Sequence, residues 1–200
     1  MIIKVDKNPY DEPKNLYKYT EVDFPTGVTV LVGKNGSGKT TLLDYIKNYC
    51  EENYISVISY DNYLQGGGNS LEAALFHDDM QTLATLACSS EGQKISVNIG
   101  NTIGFIGRSV RNAEPDSKLV ILLDAVDSGL SIDTIVEIKD IFNLIINDAS
   151  EKNVEVFIIV SANGYEFPNG SRCLNVTNGK FVTFANYEEY KKFILTGKTK

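Results

Sequence analysis

Apolar and polar positions follow two periods along this chain. Val28-Thr29-Val30-Leu31-Val32, Leu119-Val120-Ile121-Leu122-Leu123 and Val154-Glu155-Val156-Phe157-Ile158-Ile159-Val160 are nearly continuous apolar, β-branched runs. Such runs suit strands covered on both faces, as in a parallel sheet. Ile55-Ser56-Val57-Ile58-Ser59 predicts another strand, and residues 2–5 and 16–24 predict short ones. Thr40 to Ile46 and Ile132 to Asp148 instead carry apolar residues at helical spacing. Ser70 is placed to cap a helix from Leu71, and residues 72–88 predict one or two helices striped by Leu75, Phe76, Met80, Leu83, Leu86 and Ala87. A further helix is expected from near Gln93 toward Arg111, with Gly100, Gly104 and Gly107 weakening its continuity. Past Asn169 the pattern changes: Asn178-Gly179 between two short β-rich runs signals a hairpin, and a helix over residues 187–195 follows. The sum is one α/β domain over residues 1–200, with a mostly parallel central sheet flanked by helices and a small antiparallel β portion.

Composition narrows this little. Two hundred residues suit a single core, and 42% hydrophobic residues is ordinary for a globular domain. No run is apolar enough to span a bilayer, so direct membrane insertion is not expected. Met1 to Asp6 lacks the basic and apolar segments of a secretion signal. Cys50, Cys88 and Cys173 are scattered and odd in number, which fits small core or surface residues in a reducing, cytoplasmic setting. His77 has no spaced metal-ligating partners and reads as a surface residue. A net charge of -7 gives no support to nucleic acid as a partner, although it leaves room for a local basic patch.

The chemistry is concentrated at Gly33-Lys34-Asn35-Gly36-Ser37-Gly38-Lys39-Thr40, followed by Thr41. This satisfies the phosphate-loop pattern G-x-x-x-x-G-K-[ST] and lies between a buried strand and a helix, as the chemistry requires. Glycines let backbone N–H groups converge on phosphate oxygens, and the helix N-terminus adds partial positive charge. Lys39 is expected on the β- and γ-phosphates of ATP, and the Thr40 hydroxyl on Mg²⁺. Asp124, ending the run from Leu119, is the expected acidic partner of Mg²⁺.

Those two motifs mark P-loop NTPases generally, and others resemble the ATP-binding-cassette (ABC) class. Ser89-Ser90-Glu91-Gly92-Gln93 resembles the class signature LSGGQ at Ser90, Gly92 and Gln93. Asp124-Ala125-Val126-Asp127-Ser128-Gly129-Leu130-Ser131 resembles the stretch that begins D-E-P, with Ser131 where an aspartate is usual. Asn163, in Val160-Ser161-Ala162-Asn163, aligns with the class's switch histidine. The likeness covers roughly residues 2–184 and implies a soluble head with a reduced helical region and no coiled-coil arm. It also implies a head-to-tail homodimer, or a heterodimer with an unidentified partner, in which Ser90, Gly92 and Gln93 of one head meet ATP held by the other.

Two departures bear on catalysis. Ala125 stands where the class carries its general base, and a methyl group cannot polarise water. Asn163 can hydrogen-bond phosphate but cannot titrate near neutrality. Several readings follow: Asp127 stands in as the acid, the chain binds ATP and dimerises with little hydrolysis, a partner restores activity, or Ala125 is a change that traps the ATP-bound dimer. Gln65, ahead of Asn62 and Asp61, is the choice for the residue contacting Mg²⁺ and water, and Tyr17 or Tyr19 for stacking on adenine. The competing functions are the nucleotide-binding subunit of a membrane transporter and a P-loop kinase of a small substrate. The short interval before the signature disfavours the first, and the lack of an arginine-rich lid disfavours the second.

Overall fold

The computed structural model describes residues 1–62 and 91–198. Within them lie β1 (Ile2–Lys4), β2 (Glu21–Asp23), β3 (Gly27–Val32), α1 (Lys39–Glu52), β4 (Ser56–Asp61), α2 (Glu91–Asn112), β5 (Lys118–Asp124), α3 (Ile132–Glu151), β6 (Glu155–Ser161), β7 (Cys173–Asn175), β8 (Lys180–Val182) and α4 (Tyr187–Thr196). Six strands form the main sheet in the order β4-β5-β6-β3-β7-β8. The first five run parallel, and β8 pairs antiparallel to β7 across the Asn178-Gly179 turn. β1 and β2 make a separate antiparallel pair. The expected α/β architecture, with its small antiparallel portion, is therefore present.

Alternation along each central strand explains why the runs read as continuously apolar. Val30, Ile121, Leu123, Ile158 and Val160 point to one side, where they meet Ile99, Ile106 and Val110 of α2 and Ile138, Phe142 and Ile145 of α3. Leu31, Val120, Leu122, Phe157 and Ile159 point to the other, against Leu42, Leu43, Ile46 and Cys50 of α1 and Ile3, Val22 and Phe24 of the β1–β2 pair. Both faces are covered, so successive residues are all apolar.

Two expectations change. The strand foreseen over residues 16–24 is only Glu21–Asp23, because the preceding chain loops across the start of α1. Helix α2 runs unbroken through its three glycines. A Cβ at Gly100 would meet nothing, and at Gly104 or Gly107 only the next-turn arginine, so these positions lie on the outer side while Ile99, Ile106 and Val110 hold the inner one. The helices expected over residues 72–88 lie outside the described residues, as do His77 and Cys88. Cys50 and Cys173 are both buried and free. No described helix is long and apolar enough to cross a membrane.

Candidate functional site

The phosphate loop leaves the C-terminal end of β3 and enters α1 at Lys39. Gly38 takes the left-handed conformation at φ 89° and caps the helix with its carbonyl, which accepts from the Leu42 N–H at 2.9 Å. A side chain there would strike the Tyr17 hydroxyl at 2.7 Å and Leu16 at 2.8 Å. Only glycine meets both demands. Tyr17 in turn donates its hydroxyl to the Gly38 carbonyl at 2.7 Å from beneath the loop. Its ring is wholly buried, and that burial, with Tyr19 adding to it, raises its pKa. Tyr17 therefore braces the loop and has no face to offer a base, contrary to the sequence expectation. Tyr19 packs over Gly179 and stacks at a tilt on Tyr17.

A cavity of about 570 Å³ opens at this end of the sheet, and Asn35, Gly36, Gly38, Lys39, Thr40, Thr41, Asp61, Asp124, Ala125, Ser161 and Asn163 line it together with Tyr10 and Leu16. That volume suits a nucleotide-sized ligand. Gly33, Lys34 and Ser37 line a separate cleft on the outer side of the loop. Lys39 is only 9% exposed, and its ammonium donates to the Gly33 carbonyl at 3.0 Å. Burial lowers the Lys39 pKa, against the opposing pull of Asp124 and Asp127. A cation held this way favours an arriving anion, because the anion would supply the acceptors that burial removed.

Asp124 joins the two sides of the cavity. Thr40 donates its hydroxyl to Oδ2 at 2.7 Å, and Ser161 donates to Oδ1 at 2.5 Å. Ser161 also accepts the Ala125 N–H at 3.2 Å. Parallel pairing of β5 with β6 brings Ser161 beside Asp124, although nothing in the sequence marks this serine. Ala125 itself sits at φ 49°, a conformation that costs a non-glycine residue of order 1 kcal/mol.

The loop after β5 turns back at once, with the Ser128 N–H donating to the Ala125 carbonyl at 3.0 Å. This carries Asp127 away from the cavity. Its carboxylate accepts the Asn163 N–H at 3.1 Å on Oδ1 and 2.9 Å on Oδ2, and the Gly164 N–H at 2.5 Å on Oδ2. It is 9% exposed and does not line the cavity. Its visible work is to hold the segment that carries Asn163. Asn163 lines the cavity; its side-chain amide donates to the Ser128 hydroxyl at 3.3 Å, while its backbone carbonyl accepts from Tyr190 of α4 at 3.2 Å.

Of the three polar residues considered at the end of β4 and beyond it, Asp61 lines the cavity. Asn62 is committed elsewhere, donating to the Ser128 carbonyl at 2.8 Å and accepting from Tyr60 at 3.0 Å. Gln65 and Ser90 lie outside the described residues, whereas Gly92 and Gln93 fall in the first turn of α2. That helix approaches the loop after β5 at Gly129, at φ 82°, where a side chain would meet Ile95 at 2.6 Å. Sequence reasoning missed Tyr10. This tyrosine is 62% exposed at the cavity mouth, with its hydroxyl 2.8 Å from that of Thr41.

Comparison with known proteins agrees with this geometry at the level of the family. None of the curated proteins compared matches the chain. A crystal structure described as a DNA replication initiation factor is similar at 18% identity and a TM-score of 0.35. That match takes in 72% of this chain, which spans only 33% of the other. A family described as AAA domain matches residues 15–192, from the loop beneath Gly38 to α4. The chain belongs to that AAA domain family and is a nucleotide-binding protein with the P-loop fold.

Proposed function

We propose that this chain is an ABC-type ATP-dependent dimerisation switch that grips Mg-ATP firmly and hydrolyses it slowly. The observation that carries this reading is the makeup of one cavity. Lys39, Thr40 and Asp124 line it alongside Ala125 and Asn163, the two positions where the resembled class places its base and its switch histidine. The binding groups fit their task. Thr40 and Asp124, already 2.7 Å apart, offer the hard oxygen ligands that Mg²⁺ takes, and Lys39 offers charge to the β- and γ-phosphates. The exposed ring of Tyr10 beside Thr41 offers a face to adenine.

Among the described residues, the position of the class's base is Ala125, which cannot take a proton. Asp127 has its oxygens on backbone N–H groups, which favours a supporting role over proton transfer. Dimerisation follows from the signature resemblance: Ser90, Gly92 and Gln93, the last two in the first turn of α2, would cap the γ-phosphate on a second copy. ATP would then act as glue between heads, stabilising whichever state binds it.

Light scattering of the chain with Mg²⁺ and ADP, then with Mg²⁺ and ATP, tests the dimer. A shift from 22.1 kDa to twice that mass only with ATP is the expected result. An unchanged mass at micromolar protein, with ATP bound, would remove the dimer from the account.

A further inference from the structure

We infer that Asp61 orients the attacking water, supplying the carboxylate that Ala125 lacks. The inference deepens the slow-hydrolysis reading above and rests on it. Two observations carry it.

The first is register. β4 and β5 are parallel neighbours, and Asp61 is the Cα partner of Asp124 at their C-terminal ends. Partnered residues of a parallel pair direct their side chains to the same face. The preceding pairs show this: Tyr60 and Leu123 both join the core toward α2 and α3, whereas Val57 and Val120 both join the core toward α1. Asp61 and Asp124 therefore share the α1 face, where Asp124 meets Thr40.

The second is the cavity. Among the described residues, Asp61 and Asp124 are the carboxylates that line it, with Lys39 and Thr40 on its floor and Ala125 beside them. Asp44 of α1 senses the same grouping. Burial raises its pKa, Asp124 and more weakly Asp61 add to that, and Lys47 opposes it.

The chemistry asks little of this group beyond placement. In a loose phosphoryl-transfer transition state, bond formation to water is little advanced, and catalysis is chiefly positioning and charge stabilisation. Asp61 accepts a hydrogen bond from the water and aims its oxygen at the γ-phosphorus. The new oxygen–phosphorus bond forms as the bond from that phosphorus to the β–γ bridging oxygen breaks, and ADP leaves with the electron pair. The water's proton passes to a phosphate oxygen and then to solvent, giving ADP and inorganic phosphate.

Parent, Asp61→Ala and Asp61→Asn chains, each saturated with Mg-ATP, are compared by single-turnover phosphate release and by ATP affinity. Asp61→Ala is expected to slow release at least about tenfold with affinity within about twofold. Asp61→Asn keeps a carbonyl acceptor and is expected to fall between the two. Release from Asp61→Ala at the parent rate would overturn the assignment. So would equal losses of affinity and rate in both variants, or a defect cured by raising Mg²⁺. A parent that binds ATP and releases no phosphate would also overturn it, leaving the binding site intact. A parent that fails to bind ATP would bring down the underlying reading as well.

Discussion

On one side of the cavity, Lys39, Thr40 and Asp124 arrive on rigid elements, the first turn of α1 and the end of β5, and already touch one another or the loop. On the other side, Ala125 and Asn163 sit in connections. Asp127, Ser161 and Asn62 hold these in place from beneath. The first side presents charged and hydroxyl groups that a triphosphate needs. The second presents a methyl group and an amide, together with an elaborate backbone mounting. On the function proposed above, the contrast teaches that holding and hydrolysing nucleotide are separable within one P-loop site. The backbone mounting is kept where the resembled class places its base, although a methyl group stands there.

The largest expected effect lies on the binding side. Lys39→Ala should weaken ATP binding roughly 100-fold, from the loss of charge-assisted hydrogen bonds worth about 1.5–3 kcal/mol. Titration calorimetry checks it, and an affinity within threefold of the parent would break the comparison at its stronger end. Next comes Asp127→Ala, which strips the acceptor from two backbone N–H groups in a nearly buried setting. A cost of about 1–3 kcal/mol should lower Tm by roughly 3–10 °C. A large fall in phosphate release at unchanged Tm would instead make Asp127 the substitute base.

Ala125→Glu sharpens the comparison from the other direction. Restoring a carboxylate should raise phosphate release at least about tenfold with ATP affinity nearly unchanged. No gain would show that the left-handed turn at Ala125 points a longer side chain away from the water. The smallest effect is expected at the mouth. Tyr10→Ala should weaken ATP about three- to tenfold and triphosphate alone hardly at all, because stacking acts on the base. Equal weakening of both ligands would assign Tyr10 to the loop through Thr41 instead.

What could be read from sequence was whatever is local in it. Residues 33–40 were legible as a phosphate loop because loop, helix start and lysine are contiguous, and Asp124 as its acidic neighbour because it closes a buried run. The central strands were legible for the same reason, since burial on both faces leaves nearly unbroken apolar stretches. Features made by distant pairings were not. Ser161 matters only because β6 lies beside β5. Spacing makes Asp127 a candidate substitute base, but it does not reveal the four-residue turn, Ala125 to Ser128, that sets its carboxylate on the N–H groups of Asn163 and Gly164. The tyrosines illustrate the same limit. Tyr17 and Tyr19 are the choices in sequence, yet the chain's loop buries Tyr17 beneath Gly38, while Tyr10, which sequence reasoning passed over, stands at the mouth.

The central claim is a site that binds ATP well and turns it over slowly. Single-turnover mixing of excess protein with Mg-ATP, sampled for bound nucleotide over time, tests it most directly. The account predicts that ATP is captured quickly and remains ATP for minutes. Failure to capture ATP, or its conversion to ADP within about a second as in an ordinary enzyme, would contradict it.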